Sequence, residues 1–236
     1  MRAAVLYQPN TPLEVQEVEI VPPRQGEVLV RVAAAGICHS DLHYIKGDLP
    51  HPLPVVLGHE GAGVVEAVGP GVTSVRPGDH VILVFRPHCG QCYYCLRGRP
   101  ALCDFGMPIR TTGKMLDGTS RIRRNGQEIH HFTAVSCFAE YAVLPEQGVL
   151  KIRPDIPLDR AALVGCAVTT GVGAVLYNAR VEEGSSVLVI GAGGVGLNVV
   201  QGAVLAGANP IIVADVVPSK LEYARQFGRA SCRERV

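Results

Sequence analysis

No stretch of the sequence concentrates charge of one sign. Lysine and arginine number 22 against 21 acidic residues, a formal net charge of +1, with neither a basic block nor an acidic tail. This argues against nucleic acid and anionic membrane as partners, since both are met by clustered cations. An uninterrupted apolar run of membrane-spanning length is also missing. The most apolar stretch, Val187 to Val217, is broken by glycines, Asn198, Gln201 and Asn209, and reads as strand–helix–strand. The apolar run at the N-terminus stops at Pro9, too short for the core of a secretory signal, so a cytoplasmic location is expected. No internal repeat is visible. A hydrophobic content of 47% with 18% charged residues is that of a soluble globular protein, and 236 residues suffice for one large domain or two small ones.

What the sequence has in quantity is glycine (27), proline (17) and cysteine (8). The first two point to many turns and close backbone approaches. Leu13 to Ile20 alternates apolar and polar residues as a half-buried strand does, and Glu27 to Ala35, Gly61 to Val68 and His80 to Phe85 are further β-type runs. Residues 86 to 136 carry little periodicity and read mostly as loop. Beyond Pro157 the pattern changes: Leu158 to Arg180 is compatible with a long helix, interrupted in propensity by Gly165, Gly171 and Gly173. Ser186 to Ile190, Val195 to Ala206 and Ile211 to Ala214 then read as β, α and β, and Ser219 to Phe227 as another helix with Pro218 at its start. A β-rich first domain followed by the opening βαβα of a doubly wound second domain is the expected architecture.

The cysteines are clustered, and in a reducing compartment clustered thiols bind metal more often than they form disulfides. Cys89, Cys92, Cys95 and Cys103 fall within fifteen residues, in a stretch containing Gly90 and Gly98. Four thiolates around one cation is the closed tetrahedral set of structural zinc. An iron–sulfur cluster and unpaired structural cysteines are the alternatives that this spacing leaves open. A second possible set is scattered: Cys38, His59 and Cys166 each border an apolar run. Two sulfurs and one nitrogen would suit a catalytic zinc with an open position, although each residue alone is as readily a packed core side chain.

Near the end, Val187 to Ile190 runs into Gly191, Gly193, Gly194 and Gly196 and then into a helical pattern. Glycines there allow a tight turn and close approach of a pyrophosphate to the helix N-terminus. Asp215 follows Gly196 by 19 residues at the end of the next strand. An acidic residue at that place accepts ribose hydroxyls and repels a 2′-phosphate, which selects NAD over NADP.

Cys38-His-Ser-Asp-Leu-His43, Gly58-His59-Glu60-Gly-Ala-Gly63, the four-cysteine lobe, Gly165-Cys166-Ala-Val-Thr-Thr-Gly171 and the glycine turn occur in the order and spacing of one known family. From about Met1 to Phe227 the sequence resembles the zinc-dependent, medium-chain alcohol dehydrogenases. The resemblance implies a GroES-like catalytic domain over residues 1–165, with a structural-zinc lobe at 86–106 and a linking helix at 166–180. An incomplete Rossmann domain would follow over 181–228. It implies two zinc ions per chain, one held by the lobe and the other by Cys38, His59 and Cys166 with Glu60 beside it. Ser40 and His43 would relay a proton, and Asp41 would orient an imidazole ligand. His39 would contact the cofactor pyrophosphate, Thr170 would lie near the nicotinamide, Lys220 near the adenosine ribose, and Phe85 would line the substrate pocket. The implied reaction moves hydride between a primary or secondary alcohol and NAD, in a homodimer or homotetramer.

The long segment 107 to 136 is similar to the branch that includes glutathione-dependent formaldehyde dehydrogenases. That branch carries an acid and an arginine where this sequence has Leu49 and Met107, with Asp48 and Arg110 close by. A general alcohol is therefore favoured over S-(hydroxymethyl)glutathione. Family members continue well beyond residue 228, so the sequence is expected to be truncated, with a two-strand nucleotide sheet and an unpaired flank at Ile211 to Ala214. Residues 229–236 read like translated sequencing adaptor and are expected to be non-native. An inactive zinc-binding fragment is the competing expectation for such a chain.

Overall fold

The computed structural model describes residues 1–227 and the backbone of a strand at Ala230–Glu234. The chain divides into two compact units, Met1–Gly165 and Cys166–Val236. The first unit opens with β1 (Arg2–Leu6), β2 (Glu14–Glu17), β3 (Glu19–Ile20) and the long β4 (Glu27–Gly36), and then a short helix, α1 (His39–Ile45). β5 (Val55–Val56), β6 (Glu60–Val68) and β7 (His80–Leu83) lead into the cysteine lobe, which holds α2 (Tyr93–Leu96) and is followed by α3 (Gly106–Thr112). β8 (Ile122–Arg124), β9 (Gln127–His131), β10 (Tyr141–Pro145), β11 (Val149–Lys151) and α4 (Leu158–Ala161) complete the unit.

These strands form two sheets, ordered β2-β1-β5-β9-β8-β3 and β10-β4-β6-β7-β11. β4 and β6 form the centre of the second sheet. Val28 and Val30 of β4, Val65 of β6 and Val81 and Leu83 of β7 are buried together, so the inward positions of three adjacent strands make one core. β4 pairs antiparallel with β6 through two register shifts, at Leu29/Val30 and Val32/Ala34. Such shifts bend a strand. The pairing ends with Ala35 opposite Gly61 and Gly36 opposite Glu60, so the segment leading to Cys38 runs beside the start of β6. A Cβ on Gly36 would collide with Glu60 Oε2, so a side chain there would displace the Glu60 carboxylate.

The second unit contains α5 (Ala167–Gly173), β12 (Val187–Ile190), α6 (Gly194–Leu205), β13 (Ile211–Asp215), α7 (Pro218–Arg225) and β14 (Ala230–Glu234). Its three strands are parallel, in the order β12-β13-β14. Val189, Val200, Ala203, Ile211, Val213 and Leu221 form its core between sheet and helices. Helices α5 and α6 approach closely at small residues: a Cβ on Gly171 would lie 2.5 Å from Asn198 Cβ. Among the described residues no single helix is long and apolar enough to cross a membrane; the apolar run on either side of Cys166 reaches that length only across a break.

Three expectations need correction. Leu13 to Ile20 is two strands, because the chain changes partner at buried Val18: β2 pairs with β1 and β3 with β8. Val15, on the outer strand of its sheet, is 72% exposed, so the alternation there marks an edge and not a buried face. Residues 86–136 are mostly loop, as expected, although α2, α3 and the β8–β9 hairpin lie within them. The helical stretch from Leu158 to Arg180 is broken. A tighter 3₁₀ turn occupies Ala162–Gly165, Cys166 leaves the helical region at φ −138°, and a wider π turn runs over Ala174–Ala179. Finally, β13 is not a flank: it lies between β12 and β14. Of the tail expected to be non-native, Arg229, Arg235 and Val236 lie outside the described residues.

Candidate metal centres and nucleotide turn

The lobe brings its four sulfurs together. The Sγ atoms of Cys89, Cys92, Cys95 and Cys103 all lie within 4.8 Å of one another. Cys103 Sγ is 3.6 Å from Cys89 Sγ and 3.8 Å from Cys92 Sγ. Zinc–sulfur bonds of ~2.3 Å at tetrahedral angles put sulfurs ~3.8 Å apart, whereas a disulfide would need ~2.05 Å. The donor set therefore fits one tetrahedral cation. Local backbone makes the fit possible: Gly90 and Gly98 adopt φ of +75° and +70°, and the Cys89 N–H donates to Cys103 Sγ at 3.3 Å. N–H groups of Cys95 and Asp104 bring the Cys92 thiol down to about 6, and desolvation pushes Cys95 up to about 12.

A second centre is built where β4, α1 and β6 converge. Cys38 precedes the first turn of α1, and Asp41 in that turn accepts the Cys38 N–H at 3.1 Å. The other Asp41 oxygen lies 3.1 Å from His59 Nδ1 and accepts the Gly58 N–H at 3.3 Å. Asp41 is 1% exposed, and His59 and Glu60 are 3% exposed. A buried carboxylate at Nδ1 fixes the tautomer with hydrogen on that nitrogen and leaves the Nε2 lone pair for a ligand. Donor atoms of Cys38, His59 and Glu60 lie within 4.8 Å of one another. Thiolate, imidazole and carboxylate suit zinc in chemistry and in spacing. Cys166 is a buried thiol that opens the second unit, joined through its peptide bond to Gly165.

The remaining residues singled out from the sequence cluster on α1 and on the glycine turn. On α1, His39 is exposed, and Ser40 and His43 are half-buried. The His39 and His43 rings meet edge to face at 4.8 Å, and His43 Nδ1 lies 2.9 Å from Asp48 Oδ2. Phe85 stands edge-on to the His59 ring at 5.3 Å. In the second unit Gly191 has φ +97°, and a Cβ on Gly196 would collide with the Gly191 carbonyl. Nothing would meet a Cβ on Gly193 or Gly194, so the mouth of the turn, where α6 begins, is open. Asp215 accepts N–H from Ala192 at 2.7 Å and from Val217 at 2.9 Å, which holds its carboxyl below the usual range. Lys220 Nζ is 3.9 Å from Asp215, and Thr170 is exposed on α5.

Two features escaped sequence reasoning. Phe132 stands edge-on to His59 at 5.7 Å, and no local pattern marks it, since it lies 73 residues away within a stretch read as loop. Arg121 forms a buried, two-pronged ion pair with Glu27, at 2.8 Å and 2.6 Å, across 94 residues.

Comparison with known proteins agrees with this geometry. The model of the alcohol dehydrogenase GroES-like domain matches residues 24–154, more than half of the chain. The S-(hydroxymethyl)glutathione dehydrogenase of Photobacterium damsela subsp. piscicida is 50% identical over 232 residues, which cover 98% of this chain and 63% of that protein. Among solved structures, an alcohol dehydrogenase zinc-binding domain protein from Burkholderia ambifaria superposes with a TM-score of 0.94 at 42% identity, over 99% of this chain and 63% of its own. Benzyl alcohol dehydrogenase from Acinetobacter calcoaceticus gives 0.90 at 39% identity, over 98% and 62%. The chain thus spans somewhat less than two thirds of the length of these relatives. With matching domain, matching backbone and a four-sulfur lobe, this chain belongs to the alcohol dehydrogenase GroES-like domain family.

Proposed function

We propose that the protein carrying this chain is a zinc-dependent oxidoreductase that moves hydride between a primary or secondary alcohol and NAD. The observation that carries the reading is buried Asp41 holding His59 Nδ1 while Cys38 and Glu60 stand within ligand distance. By likeness to the family, Cys166 completes the catalytic set and the lobe holds a second, structural zinc. When bound, zinc supplies a Lewis acid for an alcohol oxygen and NAD supplies a hydride acceptor.

The chain's own residues then have defined tasks. Asp41 keeps the His59 ring in one tautomer and one orientation. The Ser40 hydroxyl takes the proton an alcohol must lose and passes it to the His43 imidazole. Asp48 occupies His43 Nδ1, so Nε2 is the nitrogen left to receive that proton. The open mouth at Gly193 and Gly194 admits a pyrophosphate against the N-terminus of α6; by likeness to the family alone, His39 would be a further contact. Asp215 offers its remaining lone pairs to ribose hydroxyls, with Lys220 beside it, and Thr170 faces the nicotinamide end. A cytoplasmic homodimer or homotetramer acting on a small alcohol or aldehyde follows from likeness to the family alone.

A second reading, oxidation of S-(hydroxymethyl)glutathione, is favoured by the name of the Photobacterium relative at 50% identity. Rates with NAD across a panel of alcohols and that adduct choose between them. Elemental analysis tests the common part: two zinc ions per chain are expected, one in Cys92→Ser, and one without turnover in Cys38→Ser. Iron in place of zinc, or full activity in Cys38→Ser, overturns the reading.

A further inference from the structure

We infer that Phe132, held by a strained turn at Thr133–Ser136, is the positioning residue that sets His59 and α1 in ligand geometry. The inference rests on the reading of Cys38 and His59 as a metal centre, and concerns a part of the chain that no ligand motif includes.

Phe132 is 1% exposed and meets both segments that carry the candidate ligands. Its ring stands edge-to-face with His59 at 5.7 Å and with Tyr44 of α1 at 4.7 Å. Phe85 meets the His59 ring at 5.3 Å, so the imidazole has an aromatic edge contact to each of two rings and a carboxylate at Nδ1. Edge-to-face pairs prefer particular separations and tilts, so such contacts resist rotation of the ring more than plain apolar packing does.

The backbone that delivers Phe132 is unusual. Thr133, Ala134 and Ser136 have φ of +51°, +65° and +53°, a region that side chains other than glycine rarely adopt. The three are buried as well. The Ser136 hydroxyl accepts the Phe132 N–H at 2.7 Å and closes the turn. Directly after it, the Cys137 N–H donates to Gly58 O and the Phe138 N–H to Leu57 O, each at 3.0 Å. The turn is therefore stitched to the two residues before His59, and Phe132 reaches back over the imidazole. Left-handed backbone at three of four non-glycine residues persists where surroundings over-determine it, and such strain clusters at functional sites. A plain connection between β9 and β10 would need none of this.

The test uses the chain with both sites filled with cobalt(II), whose visible bands distinguish an all-sulfur site from a mixed sulfur–nitrogen one. Phe132→Leu removes the ring edges at similar bulk, and Ser136→Ala opens the turn. Loss of an outer contact around a metal ligand weakens affinity by ~10- to 100-fold. Each variant should lose affinity at the Cys38–His59 centre by about that factor and shift its bands, while the lobe keeps its cobalt and its spectrum. Unchanged affinity and bands at the second centre in both variants would overturn the inference, and so would parallel loss of both metals, which marks a general folding role. Only one cobalt in the unmodified chain, seated in the lobe, would instead sink the reading of the centre itself and this inference with it.

Discussion

His131, at the end of β9, is sealed from solvent and accepts the Arg121 N–H at Nε2, 3.0 Å away. Burial, with the charges of Arg121 and His130 adding to it, pushes its imidazole down to about 3 from its ordinary 6.5. The sign of the consequence follows. Above pH 6.5 the ring is neutral folded or unfolded, and it makes no pH-dependent contribution. As pH falls from 6.5 towards 3 the unfolded chain takes up a proton that the folded one refuses, so stability drops by ~1.4 kcal/mol per pH unit from this group. The His131→Asn variant, which keeps an acceptor for the Arg121 N–H, should be less stable than the unmodified chain at pH 7.5. Its urea midpoint should then fall less between pH 6.5 and pH 5. Metal ligands also take up protons in acid, but they are common to both proteins, so the difference between the two slopes isolates His131. Equal slopes would show that this ring is not a source of acid sensitivity. Nothing in the sequence marks His131 or its neighbour Arg121 as buried. A guanidinium can be sealed only with a partner, and Arg121 finds Glu27 through the folding of two sheets, not through local spacing.

At the scale of elements, the glycine turn separates two jobs that one motif performs. Gly196 serves the fold, since a side chain there meets the Gly191 carbonyl and drives α6 away from β12. Gly194 is free of that constraint, since its Cβ would meet nothing in the chain itself, and under the proposed function its open face takes the pyrophosphate. Gly194→Ala should therefore keep its melting temperature within a degree or two and lose NAD affinity by ~10-fold or more, because the methyl occupies the approach of the pyrophosphate. Gly196→Ala should lose both, with a melting temperature lowered by several degrees, as overpacking against backbone costs ~1–3 kcal/mol. Equal effects of the two substitutions on stability would refute this division. The turn was legible because strand, glycines and helix follow one another directly from Val187 to Leu205. The β8–β9 hairpin was not: its strands are three and five residues long, and its sequence from Ile122 to His131 is dominated by charged and polar side chains. The break at Cys166 was half legible. Gly165 gave notice of it, and the need for glycine there is tertiary, because a side chain would lie 2.7 Å from the Leu83 carbonyl.

For the molecule as a whole, the sequence order of chemistry maps onto the two units. Seven of the eight candidate zinc donors lie in Met1–Gly165, and the eighth, Cys166, is the first residue of the other unit. The nucleotide turn and Asp215 lie wholly in the second unit. Its strand order β12-β13-β14 is that of the first half of a doubly wound sheet, in which the ligand crevice forms at the carboxyl ends of the strands. Asp215 sits at that end of β13, tied to the turn through Ala192 N–H and to the chain beyond through Val217 N–H. Those two donors keep it ionised, so it presents a fixed negative charge as well as acceptor lone pairs. The two properties can be separated. Asp215→Asn removes the charge and keeps one acceptor oxygen, for the Ala192 N–H, while giving up the Val217 contact, so NAD binding should weaken only a few-fold while NADP binding improves, because a 2′-phosphate no longer meets a carboxylate. Asp215→Ala removes the charge and also leaves the Ala192 N–H without its partner, so the turn loosens and NAD affinity should fall by ~10-fold or more. Titration of both dinucleotides into the three proteins, followed by calorimetry, gives the comparison. A preference for NADP in the unmodified protein, or no gain in NADP affinity in Asp215→Asn, would show that cofactor choice is not set by this carboxylate.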